Sequence, residues 1–253
     1  MNASLRKIGA LVAKDATDLF KNPAMAVVCL MPIGFMALYR VVIGDATADA
    51  GLDAAQAVLA GREIIKFTLG AALCMTIGMI GSMIMIYGIA EEKEKHTLRT
   101  LMLANVSAGE VAASKCVVSV AAIAVVNLAC FFVAGGNVAW LAPYMVLGIV
   151  GSLPVVLVSL VLGLACRDQM TAGFFSVPVV LAALVPMFGM ADEGLARITS
   201  LSPLGGIYDL MGLAVDGALM SAEAIAPLAV TGAWIVVGCV LFAALFKRVS
   251  RDN

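Results

Sequence analysis

Charged residues are scarce in this chain. Asp, Glu, Lys and Arg make up 13% of its 253 residues, whereas soluble domains contain about 25%. Apolar residues make up 62%, and the mean hydropathy is +1.05, so the composition predicts an integral membrane protein without a sizeable soluble domain. The net charge of −1 offers no strongly basic surface, so we expect no nucleic-acid partner.

Residues that carry out catalysis are also missing. The sequence has one histidine, His96, and neither a Ser/His/Asp nor a Cys/His constellation is recognisable. It contains no GxxxxGKS or GxxxxGKT phosphate loop, the motif that cradles nucleotide phosphates. We therefore predict that the chain is not an enzyme, hydrolyses no ATP itself and binds no cofactor or metal of its own.

Disulfides and a cleaved leader are not expected either. The six cysteines form no CxxC pair and lie in or beside apolar runs, which predicts small apolar side chains in helices. The N-terminus lacks the short apolar region and small-residue cleavage site of a secretory signal. The cysteines are Cys29, Cys74, Cys116, Cys130, Cys166 and Cys239.

Long apolar stretches dominate what is present. A helix that crosses a bilayer needs roughly 20 mainly apolar residues, and strands of a membrane barrel would alternate instead. Six stretches meet the helical requirement, which predicts one all-α transmembrane domain over residues 1–253, because only helices satisfy their own backbone in lipid. The predicted spans are 24–43, 67–90, 116–134, 141–165, 172–190 and 227–246.

The basic residues predict the orientation of this bundle. Positive residues favour the cytoplasmic side of a membrane, and 12 of the 16 Lys and Arg residues fall on one side of the predicted spans. Both termini are therefore expected in the cytoplasm, with longer outer loops at 44–66 and 191–226. The remaining four basic residues, on the outer side, are Arg40, Arg62, Lys66 and Arg197.

The first helix is predicted to lie on the membrane. Within residues 4–21, apolar side chains fall on one helical face, and Lys7, Lys14, Asp18 and Lys21 fall opposite. This pattern is typical of a helix in the membrane interface; the alternative is a soluble helix packed on another element. Asn22-Pro23 ends it, since proline disfavours helix in the residue before it. The apolar face consists of Leu5, Ile8, Gly9, Val12, Ala16, Leu19 and Phe20.

A charged run follows the second predicted span. Residues 91–95 are five consecutive charges, which a solvated membrane exit explains by itself. It does not explain Leu98, Leu101 and Met102, whose spacing gives an apolar face to a short helix over 94–103. Ser107 and Glu110 then form a predicted capping box, so a new helix should begin near residue 108.

This region resembles the segment after the second span in permeases of type-2 ABC transporters. The stretch AEEKEKHTLRTLMLANVSAGEVAASK, residues 90–115, has the family's acidic-basic run, threonine, leucine-rich turn, Val-Ser turn and lysine in order. The family's usual proline is replaced by Asn105. The matching positions are Glu92, Glu94, Thr97, Leu98, Leu101, Val106, Ser107, Glu110 and Lys115.

Three further segments resemble the same family, in the same order along the chain. KDATDLFKNPAMAVVCLMP, residues 14–32, is similar to the interfacial helix and first span. ACRDQMTAGFFSVPVVLAALVP, residues 165–186, is similar to the turn and proline-containing fifth span. ITSLSPLGGIYDLMGLAVDG, residues 198–217, resembles a segment that re-enters the membrane from outside before the last span.

The resemblance implies a bacterial exporter subunit in the cytoplasmic (inner) membrane. The 94–103 helix would be a coupling helix that docks into a separate cytoplasmic ATPase, which would hold ATP-Mg. A second permease copy, identical or related, would complete the path, and membrane lipid would surround both. The implied coupling residues are Glu91, Glu92, Glu94, Thr97, Leu98, Leu101, Met102, Ser107 and Glu110.

The same analogy places the first and fifth spans along the translocation path. A lining rich in Met and Phe would favour hydrophobic or amphipathic cargo, such as a drug, a peptide or bacteriocin, or a lipid. Ordinary lipid-facing or core positions are the alternative for each residue. Asp209 is either a functional carboxylate at membrane depth or part of a wet outer segment. The predicted lining is Met25, Met31, Met36, Phe174, Phe175, Met187, Phe188 and Asp209.

Two other classes of protein are alternatives to a permease. A stand-alone secondary transporter usually shows inverted repeats and ionisable residues in mid-membrane, and neither is apparent. A membrane anchor that recruits a cytoplasmic partner without transport would need the short 94–103 helix but no path. Within the spans, Asn127 is predicted to bond a neighbouring helix, and Gly78 and Gly81 to allow close helix contact.

Overall fold

A computed structural model describes residues 3–49, 53–191 and 193–249. Side chains are described for these residues except 3, 44–49, 54, 98, 99, 190, 191, 193 and 245–249. Every regular element in these ranges is a helix. Six helical segments are long and apolar enough to cross a bilayer, which confirms the predicted all-α, six-span architecture: Pro23–Ile43, Ala55–Glu94, Ala108–Ala134, Val138–Ala165, Gln169–Gly189 and Ala222–Ala244.

The chain begins with two helices separated by one residue. Helix α1 spans Ala3–Lys21 and α2 spans Pro23–Asp49. Asn22 stands between them, and its side-chain Oδ1 accepts a hydrogen bond from the backbone N–H of Ala24 at 3.0 Å. Proline suits the first position of a helix because it lacks the N–H that would be unpaired there. The Asn22-Pro23 break is therefore where the sequence predicts it.

The second span is part of a much longer helix than predicted. Helix α3 (Ala54–Thr76), a π-helical segment (Ile77–Gly81) and α4 (Ser82–Glu94) run on without interruption, about 60 Å of helix. The stretch 44–66, predicted as a loop, is therefore largely helical: α2 extends to Asp49, and Asp53 opens α3 with a capping box to Gln56. Its polar residues misled the prediction, because an exposed helix end tolerates them as well as a loop does.

A short helix follows the long one and leads into the third span. Helix α5 spans Thr97–Leu103, within the predicted 94–103, and α6 spans Ala108–Ala134. The predicted capping box is confirmed: Ser107 Oγ accepts from the Glu110 N–H at 3.2 Å, and Glu110 Oε2 accepts from the Ser107 N–H at 2.9 Å. Helix α6 consequently starts eight residues before the predicted apolar span at 116–134.

The fourth and fifth spans are α7 (Leu141–Ala165) and α8 (Gln169–Leu184). Helix α7 continues through Pro154 and α8 through Pro178, and a 3₁₀ segment (Val185–Ala191) follows α8. The long helix formed by α3, the π-helical segment and α4, here called the central helix, packs against α2, α6, α7 and α8. Gly78 allows the π-helical segment to approach α8 closely, since a Cβ at this position would lie 2.6 Å from the Cβ of Ala183.

Two short helices precede the last span. Helix α9 spans Glu193–Thr199, α10 spans Gly205–Asp216 and α11 spans Ile225–Val249. With 12 residues, α10 is too short to cross a bilayer, yet one side is buried against α3, α7 and α11. The segment 198–217 thus folds as a turn and a half-buried helix, beside which Trp234 Nε1 donates to the carbonyl of Leu201 at 2.9 Å.

Side-chain contacts define the two ends of the bundle. Helix α5, the first turn of α6 and the α7–α8 turn share one end, here called the α5 end; α9 and α10 lie at the other, the α10 end. Within the core, Asn127 bonds a neighbouring helix as predicted, accepting from the Tyr144 hydroxyl at 3.4 Å. At the α10 end, Arg40 Nη1 donates to the carbonyl of Val133 in the last turn of α6 at 2.9 Å.

Candidate functional site

The candidate site is the corner formed by α4, α5 and α6. Two residues in the left-handed backbone region bound α5: His96 with φ 55° and Asn105 with φ 60°. Such residues reverse the chain sharply at each end of the helix. The Thr97 hydroxyl donates to the carbonyl of Glu92 at 3.2 Å, which ties the start of α5 to the last turn of α4.

The backbone conformation of Asn105 is one that proline cannot adopt. Proline is restricted to φ near −65°, and asparagine is among the few residues that adopt positive φ readily. The Asn105 N–H also donates to the carbonyl of Met102 at 3.0 Å, a bond that proline cannot make.

Asn105→Pro is therefore expected to destabilise the corner. The expected loss exceeds about 1 kcal/mol because both the backbone angle and one hydrogen bond are incompatible with proline. Asn105→Gly keeps both and serves as the matched control. Apparent melting temperatures of the two variants in detergent measure the difference; equal values would contradict the observed conformation.

The apolar face of α5 points partly inward. Leu101 and Met102 are half-buried and pack, with Val106, against a small cluster formed by Leu11 of α1 and Val111 of α6. Leu98 belongs to the predicted face, but its side chain lies outside the described residues. Leu103, which the sequence analysis did not single out, is 83% exposed at the last residue of α5.

A partly buried ion network joins α1 to both helices that flank α5. Glu92 of α4 and Lys115 of α6 are 7% and 5% exposed. Glu92 Oε1 lies 2.8 Å from Lys14 Nζ and 3.3 Å from Lys115 Nζ. Asp15 Oδ1 lies 3.5 Å from Lys115 Nζ, and Asp15 Oδ2 accepts from the Ser114 hydroxyl at 3.1 Å. Two cations and two carboxylates thus compensate one another, with Glu92 and Lys115 buried and Lys14 at the exposed edge of the network.

Pairing within the network stabilises the charge of Lys14. Burial lowers the pKa of Lys14, but its hydrogen bond and charge pairing with Glu92 outweigh that effect, so its pKa is raised overall. Lys115 and Glu92 are buried on both sides of their ion pair, and removing one partner of a buried pair is strongly destabilising. The arrangement therefore fixes the position of α1 relative to α4 and α6.

The sequence motif contained only part of this network. Glu92 and Lys115 both lie in the predicted segment 90–115, whereas Lys14 and Asp15 lie in the separate segment 14–32, and no local pattern relates them to Glu92 or Lys115. Asp15 sits beside the apolar face of α1 on the helical circle, and that placement was the one available sign that it faces protein.

A second set of contacts ties α4 to the α7–α8 turn. Lys93 Nζ donates to the carbonyl of Leu164 at 2.7 Å, and Glu94 Oε2 accepts from the backbone N–H of Gln169 at 3.0 Å. Asp168 caps α8, and hydrogen bonds from the hydroxyl and N–H of Thr171 lower its pKa. The charged run thus connects the corner to the fifth span, while Glu91 pairs locally with Lys95.

The predicted path residues divide into buried and exposed groups. Met25 and Met36 belong to the packed core, and Met36 has no exposed surface. Phe174 is 77% exposed on α8, and Met31 of α2 and Phe188 of the 3₁₀ segment are exposed as well. Phe175 is also exposed, and Met187 is half-buried and packs on the core. The structure does not gather these residues into one cavity within a single chain.

Asp209 lies at the α10 end, far from the corner. It is partly buried and lines a cavity of about 430 Å³ between α3, α10 and the segments around them. Nearby, Asp216 receives Arg62 Nε at 2.9 Å and Lys66 Nζ at 2.7 Å. This second ion cluster fastens the N-terminal half of α3 to the C-terminal end of α10.

Comparison with known proteins adds no family to this description. No protein-family model matches the chain, and no curated protein sequence matches it at a significant level. The class that the fold itself defines is an all-helical chain whose six long apolar helices fit a multi-pass membrane protein.

Proposed function

We propose that the chain is the permease subunit of an ATP-driven type-2 ABC exporter in a bacterial cytoplasmic membrane. In this proposal the α5 end and both termini face the cytoplasm, α1 lies in the membrane interface, and α9–α10 re-enter from outside. The exposed side chains of Leu5 and Phe20 on α1 support an interfacial position, because they would meet lipid there.

The observation that carries the proposal is the mechanical attachment of α5. One turn joins this short helix to the end of α4, and another joins it to the start of α6. The Lys14–Glu92–Lys115–Asp15 network fixes both α4 and α6 to α1. A displacement of α5 is therefore passed to the central helix rather than absorbed by a loose loop. That is what a coupling helix requires if it converts movements of an ATPase into movements of the spans.

The path is proposed to form between two copies of the chain. Helices α2, α8 and α11 are the least buried of the six membrane-length helices. The long helix formed by α3, the π-helical segment and α4 is largely buried. Met31 and Phe174 on these exposed faces would contribute to the lining, and Met25 and Met36 would support them from within the core. Apolar linings of this kind favour hydrophobic or amphipathic cargo.

The ATPase would bring ATP-Mg and make contact at the exposed end of α5. Leu103 is the exposed large apolar side chain of α5 among those described, and an apolar anchor at the centre of an interface contributes strongly to binding. The charges of Glu91 and Lys95 at its rim would contribute mainly specificity.

Leu103→Asp is expected to weaken binding of the cognate ATPase by roughly tenfold or more, because it places a charge in an apolar contact. Co-purification and ATPase stimulation in reconstituted vesicles measure this. Met220→Asp is the matched control, since Met220 is fully exposed at the α10 end. Leu98→Asp combined with Leu101→Asp should also uncouple ATP use from transport, but Leu101 additionally packs against α1 and α6.

The proposal as a whole is tested by reconstituting the chain with the ATPase encoded beside it. ATP-dependent efflux of an amphipathic dye from vesicles, absent with either protein alone, is the expected result. Transport driven by an ion gradient without ATPase would instead identify a secondary transporter. Tight ATPase binding without any transport would identify a membrane anchor.

A further inference from the structure

The C-terminal end of α7 is held by a cation of the charged run. Lys93 stands between two glutamates in the sequence, yet its half-buried side chain donates to a backbone carbonyl, that of Leu164, at 2.7 Å. Leu164 is the last residue but one of α7, where carbonyls lack a partner within the helix and the helix dipole favours a cation. The contact therefore fixes the end of α7 to α4.

The next residue makes the opposite contact with α8. Glu94 Oε2 accepts from the backbone N–H of Gln169, the first residue of α8, at 3.0 Å. N–H groups at this end of a helix lack a helical partner, and the dipole favours a negative charge there. Two consecutive side chains of α4 thus hold the end of one span and the start of the next. These two contacts are here called the α4 clamp.

The same three helices pack closely beside the clamp. A Cβ at Gly163 of α7 would lie 3.0 Å from the carbonyl oxygen of Met85 in α4. A Cβ at Gly173 of α8 would lie 2.9 Å from the Tyr87 hydroxyl oxygen. Because glycines bring the helices so near, we expect α4 and the α7–α8 turn to move as one body. Between them lies a buried apolar cluster of Ile86, Ala90, Cys166 and Ala172.

The clamp lies between α5 and an exposed face of α8. Lys95 and His96 alone separate Glu94 from the first residue of α5. On the other side, the exposed Phe174 follows Gln169 by five residues, which is about 7.5 Å along a helix. Because α8 is among the least buried of the membrane-length helices, less packing opposes its displacement than that of the central helix. A displacement of α5 thus has a short route to the helix face proposed for the path.

We propose that Lys93 and Glu94 are positioning residues for transport, which make the α7–α8 turn and the start of α8 follow each displacement of α5. Lys93 contributes more, because charged hydrogen bonds are stronger away from water and Glu94 is exposed. The transmission role rests on the proposed exporter function, whereas the clamp itself does not. It also places the contribution of Glu94 to coupling within the chain rather than at the ATPase surface.

Labelling of Cys166 with a thiol reagent tests the clamp without an ATPase. This side chain has no exposed surface and lies between α4 and the turn, so its labelling rate measures how often they separate. Peptide mass spectrometry distinguishes it from the other cysteines. Lys93→Met removes the donor at similar volume, and labelling in detergent should rise by roughly tenfold because a charged hydrogen bond is lost.

Two further variants make this measurement specific. Lys93→Arg keeps a charged donor and should label like wild type. Lys95→Met removes an exposed cation of the same run and should also label like wild type. Burial raises the pKa of the Cys166 thiol and Lys93 lowers it, so loss of the Lys93 charge alone would slow labelling. A faster reaction in Lys93→Met therefore reports separation of the helices.

Reconstitution with the ATPase tests the transmission role. Lys93→Met leaves Leu103 of α5 unchanged, so stimulated ATP hydrolysis should stay within about twofold of wild type, whereas dye exported per ATP should fall roughly threefold or more. A residue that served only the stability of the fold would lower both rates and leave their ratio unchanged. Lys93→Arg should restore the ratio. Glu94→Met should lower it less, and its exposed position covers the case in which Lys93→Met does not fold.

Two results would overturn the proposal. One is equal labelling of Cys166 in wild type and Lys93→Met. The other is an unchanged ratio of export to hydrolysis in both Lys93→Met and Glu94→Met, in the presence of wild-type efflux. A wild-type chain without ATP-dependent efflux would overturn the exporter function and the transmission role with it, whereas the labelling would still measure the clamp.

Discussion

Lys115→Met is expected to lower the free energy of unfolding by about 3 kcal/mol, the effect of removing one partner from a buried ion pair. Lys115 is almost completely buried, and its ammonium lies within 3.5 Å of carboxylates from two different helices. Methionine fills a similar volume but leaves Glu92 and Asp15 to share Lys14. The excess negative charge would then be buried without compensation.

Thermal unfolding in detergent measures the loss, expected as a fall of roughly 5–10 °C in the apparent Tm. Combining Lys115→Leu with Glu92→Leu should recover part of the stability, because removing both charges leaves Lys14 paired with Asp15. Lys95→Met is the control, since Lys95 forms an exposed pair with Glu91 and should shift the Tm much less. Equal effects of Lys115→Met and Lys95→Met would show that the network adds no stability.

Gly206→Ala is expected to destabilise the α10 end by about 1–3 kcal/mol, the usual effect of overpacking. A Cβ at Gly206 would lie 2.5 Å from Thr231 Oγ1 and closer still to the carbonyl oxygen of Pro227, both in α11. The backbone oxygen cannot swing aside as a flexible side chain can, so α10 and α11 would have to separate. Their contact is what holds this short helix in the bundle.

The matched control lies in the same helix. Gly212→Ala adds a methyl group where no atom lies within 4 Å, and alanine favours helix over glycine by about 1 kcal/mol. The two variants should therefore shift the apparent Tm in opposite directions. A fall of similar size for both would mean that α10 is sensitive to any substitution rather than to close packing at Gly206.

The sequence predicts the elements whose signals are local. Six apolar runs, the break at Asn22-Pro23 and the capping box of Ser107 and Glu110 all depend on residues close together in the chain, and the structure confirms them. The position of α5 also follows from local spacing. Hydrophobic burial in lipid and backbone hydrogen bonding within each helix determine these features without reference to the rest of the fold.

The features that the sequence does not predict depend on distant partners. The helical start of α3 is stabilised by contacts of Arg62 and Lys66 with Asp216, which lies 150 residues away in the chain. The pairing of Lys14 with Glu92, and the inward packing of Leu101, need α1 to be placed against α6 first. The sequence pattern therefore predicts a solvated position for Glu92, as for the rest of the charged run, although Glu92 is buried in the fold.

The long helix formed by α3, the π-helical segment and α4 also sets a length. Its two ion clusters, around Lys66 and around Glu92, are separated by 26 residues, which is about 39 Å along a helix. A bilayer measures about 40–45 Å including its headgroups. Neither cluster can enter the hydrocarbon without losing the solvation of its exposed charges. The long helix is therefore matched to one membrane thickness and would have to tilt in a thinner bilayer.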